Sequence, residues 1–118
     1  MRVAIIPLTV LLCLAAAPTQ AQQASIEGNW ACRANIDGTK AGILTIFAGS
    51  YGYASANFGS AASGTGTAQL YSDGITFTDG NLILNAGIEV GLMGFDDQGR
   101  DILSLNTKEK PVLTCRPR

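Results

Sequence analysis

Side chains able to do chemistry are sparse in this chain, and their spacing excludes more than it suggests. Histidine is absent, so neither a Ser-His-acid nor a Cys-His nucleophile can be assembled. The carboxylates fall chiefly at turn signals. Asp37, Asp73, Asp79, Asp96 and Asp97 each stand at or near a glycine, where a local Asx turn accounts for them without paired acid–base work. The run Asp97-Gln98-Gly99-Arg100-Asp101 lacks the ligand spacing and the terminal bidentate Glu of a calcium loop. Glu89, between Ile88 and Val90, stands away from the turn signals and reads as an outward residue of an alternating strand. Lys108, Glu109 and Lys110 form a solvated turn that Pro111 ends. No catalytic residue, metal site or cofactor is expected, and the chain reads as non-enzymatic.

The cysteines carry a different kind of chemistry. Residues 1–21 combine Arg2, an uncharged apolar run over residues 3–17 and a small-residue stretch ending in Thr19-Gln20-Ala21. These are the parts of a secretory signal peptide cleaved after Ala21, and the run is too short for a spanning helix. Cys13 leaves with that leader. The mature part is then one domain of about 97 residues, 118 less the 21 of the leader. Seven basic residues against nine acidic ones give it a formal charge of about −2. That balance leaves no nucleic-acid footprint, no polybasic membrane patch and no membrane span in the mature form. Cys32 and Cys115 remain in an oxidising compartment, where a disulfide is the expected state. In the chain-entropy model a loop of about 80 residues restrains the unfolded chain by about 4.5 kcal/mol.

Turn signals punctuate everything after residue 27. Alternating or apolar runs over 29–35, 42–48, 65–71, 74–78, 81–86, 88–94, 101–106 and 111–116 are separated by Asp-Gly pairs and similar clusters. Such pairs supply the positive φ of tight hairpins. The pattern predicts an all-β antiparallel meander of about eight strands, forming a small closed or nearly closed barrel stapled by one disulfide. Residues 22–27 would be an N-terminal tail and 28–118 the barrel domain. In the first strand Trp30, Cys32 and Ala34 share a face, leaving Arg33 and Asn35 outward. In the last strand, Leu113 and Cys115 do the same, with Thr114 and Arg116 outward. Antiparallel pairing of these two strands brings the cysteines together and sets the chain's one Trp beside the seam that closes the sheet.

Gly28-x-Trp30 at the start of the first strand, with Arg116 near the end of the last, resembles the calycins, the superfamily of lipocalins, fatty-acid-binding proteins and avidins. The resemblance implies that Trp30 seals one barrel end and that Arg116 packs across it. In size the chain is closer to small periplasmic inhibitors of secreted metalloproteases. That resemblance implies a tail, residues 22–27, inserted into a protease cleft.

The segment 48–66, AGSYGYASANFGSAASGTG, is uncharged and carries Tyr51, Tyr53 and Phe58 at irregular spacing. It reads either as a contact loop with aromatic anchors on a small-residue backbone or as a strand over 50–54 followed by a flexible connection. The functional expectation is a secreted, periplasmic protein of the bacterial envelope. It would bind an unknown protein or a small apolar ligand through this segment or through a barrel mouth. Inhibition of a protease by residues 22–27, or carriage of a small apolar ligand, are the alternatives.

Overall fold

The structure is a computed structural model that describes residues 26–57 and 59–118. The leader over 1–21, Gln22 to Ser25 of the tail, and Phe58 lie outside the described residues. Eight antiparallel strands close into a barrel in sequence order: β1 (Gly28–Ala34), β2 (Lys40–Phe47), β3 (Ser50–Ser55), β4 (Gly64–Tyr71), β5 (Gly74–Phe77), β6 (Val90–Phe95), β7 (Asp101–Asn106) and β8 (Pro111–Pro117). A six-residue helix, α1 (Asn81–Ala86), interrupts the meander between β5 and β6. No helix among the described residues is long and apolar enough to cross a membrane.

Closure falls where the cysteines require it. β1 and β8 pair with Cys32 opposite Cys115, and the two are joined by a disulfide with Cα atoms 3.9 Å apart. Every strand has a neighbour on both sides, so the sheet exposes no unpaired edge. Alternation sends Trp30, Leu44, Ile46, Ile75, Phe77, Leu103, Leu105 and the disulfide inward, each at most 3% exposed. These side chains fill the middle of the barrel.

The strands divide the molecule into two ends. At one end lie the start of β1, the two-residue turn Ala48-Gly49, the turn at Ser72-Asp73 and the turn at 96–100. Here Trp30 is buried, its indole N–H donates to the Ile26 carbonyl at 2.9 Å, and Ile26 is itself 6% exposed. Gly28 carries the chain from this plug into β1 at φ 127°, a conformation that a side chain would strain. Glu27 accepts the Ala48 N–H at 2.7 Å. The last two residues of the expected tail are therefore anchored to the barrel.

Two expectations need correction here. Residues 81–86 are helical rather than extended. Leu82, Ile83 and Ala86 recur at helical spacing and face the core, Leu84 is exposed, and Gly87 ends the helix in the left-handed conformation at φ 70°. A six-residue run with four apolar members is too short for periodicity to separate a strand from a helix. What decides is that the sheet pairs β5 directly with β6, so the intervening run has no strand to pair with and crosses the barrel end. Arg116, in turn, does not pack across Trp30. It lies opposite Ala31 on the outer face, as strand alternation requires, and its guanidinium binds Asp96.

Candidate functional site

The end opposite Trp30 holds the turn at 35–39, the loop 56–63, α1 and the turn at 107–110. Between these connections the barrel mouth forms a cleft of about 320 Å³. Leu82 and Ala86 of α1 and Ile88 form one wall, Val112 and Leu113 of β8 the other. Tyr53 and Ala41 come from the strands beneath, and Ser55, Asn57 and Ser60 contribute polar atoms. A volume of this size sits at the small end of ligand sites, whose lining is apolar with a few placed polar groups.

Tyr51 and Tyr53, two residues apart on β3, both point inward and differ in what their hydroxyls meet. Tyr51 is 3% exposed and its ring stands edge-on to Phe77, with centroids 4.9 Å apart. Its hydroxyl donates to the Asp79 carbonyl at 2.8 Å and accepts the Leu82 N–H at 3.3 Å. The residue before α1 is Gly80, which has no side chain to cap the helix. Tyr51 does that work from across the barrel. Its approach needs bare backbone, because a methyl on Gly66 or Gly80 would overlap the phenol. Tyr51 is thus a structural strut, not an anchor on a contact loop.

Tyr53 is 7% exposed, and the tip of its ring lies over the α-carbon of Gly42. No hydrogen bond to its hydroxyl occurs among the described residues. Burial pushes both phenols above their ordinary pKa, and for Tyr51 the Leu82 N–H opposes that rise. A buried hydroxyl without a partner costs about 1–3 kcal/mol, which a water molecule or the polar atom of a ligand would offset.

The loop over the mouth is knit by its serines. Ser63 accepts the Ser55 N–H at 2.9 Å, Ser55 accepts the Asn57 N–H at 3.0 Å, and Ser60 accepts the Ala62 N–H at 3.2 Å. Asn81, at the start of α1, donates to the Ser63 carbonyl and accepts from Asn85 at 3.2 Å. The helix and the loop are thereby tied together across the cleft. Of the three aromatic residues singled out in 48–66, Tyr51 and Tyr53 belong to β3, and Phe58 lies outside the described residues. The signal that the sequence did carry for the site was the glycine-bounded apolar run at 81–86, once it is read as a helix.

No family model, no curated protein and no solved structure matches the chain. Its class is that of a closed eight-stranded antiparallel barrel with one disulfide, an architecture compatible with the calycins. The disulfide is also compatible with an extracytoplasmic location.

Proposed function

We propose that this protein is a non-enzymatic binding module of the bacterial envelope, exported by residues 1–21, that takes a small apolar ligand at the barrel mouth. The observation that carries this reading is Tyr53. It is 7% exposed, lines an otherwise largely apolar cleft, and has a hydroxyl with no protein partner among the described residues. The ligand is small because the barrel below the mouth is filled by Leu44, Phe77, Leu103 and Leu105. It carries one hydrogen-bonding group, which meets the phenol, and an apolar body that covers Leu82, Ile88 and Val112.

The test is a thermal-shift panel of neutral compounds of this description, such as octan-1-ol, p-cresol and 2-naphthol. A ligand at 100 times its Kd adds about 2.7 kcal/mol to stability, a Tm rise of about 10–20 °C for a domain of this size. Ala86→Phe fills the mouth from α1 and removes the shift. A panel that leaves Tm unchanged, or an Ala86→Phe protein that responds like the native one, overturns the proposal. Trp30 lies at the opposite end, so its fluorescence serves to follow unfolding and not occupancy.

A further inference from the structure

A second feature lies on the outside of the barrel, on the opposite surface of the strands that carry Tyr53. Ala31, Ile43 and Ala54 form one rung across β1, β2 and β3, and with Ala56 they floor a groove of about 510 Å³. Arg33, Lys40 and Arg118 stand around it. The lining includes no carboxylate side chain, although the protein as a whole is slightly acidic.

Register explains how the cations come together. β1 and β2 run in step from Gly28 opposite Ile46 to Cys32 opposite Gly42, and the pairing then slips so that Arg33 faces Lys40 in place of Ala41. This bulge puts two like charges directly across from each other, an arrangement that destabilises a strand pair. Bulges are over-represented at barrel rims and beside sites, where they re-aim a side chain, and this one lies at the rim, next to the turn at 35–39. No ion pair among the described residues joins Arg33 or Lys40 to a carboxylate. Arg33 is held by donating to the Gly38 carbonyl at 2.8 Å. Asp37, the acid of the same turn, stays charged, its Oδ1 accepting the Thr39 N–H at 3.0 Å and the Thr39 hydroxyl at 2.8 Å rather than pairing with either cation. The ion pairs among the described residues use Arg100, Lys108 and Arg116, not the three cations of the groove.

We propose that this groove binds a free anionic amphiphile. Its carboxylate or phosphate head sits between Arg33 and Lys40, which face each other across β1 and β2, and its chain lies along Ala31, Ile43 and Ala54. An anion restores the balance that the bulge upsets. The small side chains let an alkyl chain lie close to the sheet, and an apolar floor this size favours such a ligand over an acidic peptide. The groove adjoins the mouth at Ser55, which lines both, but Arg33, Lys40, Ala31, Ile43 and Ala54 line the groove and not the mouth, so binding there does not depend on the mouth being occupied.

Monomeric decanoate and decyl phosphate are the probes, titrated by calorimetry at low and high salt. The native protein binds both, and salt weakens the binding by screening. Arg33→Gln combined with Lys40→Gln lowers affinity by about tenfold or more, from the loss of two charge-assisted contacts. The same pair leaves the response to neutral octan-1-ol unchanged, and Ala86→Phe leaves decanoate binding unchanged. Lys40→Glu creates a cross-strand ion pair with Arg33. It raises Tm in the absence of ligand by about 2–4 °C and abolishes decanoate binding. The proposal is overturned if native protein binds neither probe or if the double variant binds as well as native protein. Binding lost in Ala86→Phe, binding confined to anionic vesicles, equal binding of a chainless acidic peptide, or a lower Tm in Lys40→Glu would each overturn it too.

Discussion

Two tyrosines two residues apart on one strand allow the same one-atom deletion to be made twice with opposite expected results. In Tyr51→Phe the Asp79 carbonyl loses its donor and the Leu82 N–H, buried at the start of α1, loses its acceptor. Each hydrogen bond contributes about 1 kcal/mol net, and stranding a buried donor adds to the loss. The expected cost is therefore about 2–3 kcal/mol, a large share of the roughly 5–15 kcal/mol that holds a domain of this size together. In Tyr53→Phe the atom removed has no partner among the described residues, so stability is unchanged or rises by up to about 1 kcal/mol. Urea unfolding followed by Trp30 fluorescence reads both variants from the far end of the barrel. The midpoint falls by about 2 M for Tyr51→Phe and stays level or rises for Tyr53→Phe. Hydrogen exchange at the Leu82 amide accelerates in the first variant and not in the second. Equal losses in the two variants, or a Tyr51→Phe protein within about 0.5 kcal/mol of native, would refute the capping role and the unpartnered hydroxyl together.

Three further outcomes follow from the same structure. Replacing both Cys32 and Cys115 with Ala lowers stability by about 4.5 kcal/mol in the chain-entropy model, given a separation of 83 residues; the denaturation midpoint of the double variant measures it. Asp96 is held below the ordinary carboxylate range, first by the Arg100 N–H, with the Gln98 N–H and the Arg116 and Arg100 side chains adding to it. A depressed carboxylate stabilises the fold above its unfolded pKa, and that contribution is lost as pH falls below about 4; Tm against pH for Asp96→Asn shows a shallower acid limb than native protein. Ala48 sits in the β2–β3 turn at φ 58°, so Ala48→Gly relieves strain and raises stability by about 0.5–1 kcal/mol, read as a higher urea midpoint.

The strand pattern and the seam were legible in the residues themselves. Trp30, Cys32, Leu103, Leu105 and Cys115 fall on inward faces because side chains alternate along a strand, and the two cysteines meet because the first and last strands of a closed meander are neighbours. Such rules are local or topological, and neither needs coordinates. Residues 81–86 were not legible, since so short a run, with four apolar residues between and beside two Asn, fits either kind of element until the direct pairing of β5 with β6 leaves it to cross the mouth. The roles of Tyr51 and Tyr53 were hidden for a related reason. Their types and spacing are alike, and what separates the strut from the phenol without a partner is the backbone brought opposite the Tyr51 hydroxyl by residues about 30 positions away. Arg116 was placed on the outer face by alternation and on the barrel end by resemblance. Tertiary structure decided between them, because Asp96 lies within reach on that outer face. Sequence alone determined which faces of the first and last strands turn inward and how the chain closes. Which polar groups find partners, and which cations are left facing one another across a bulge, depends on register and approach over long sequence distances, and folding alone decides it.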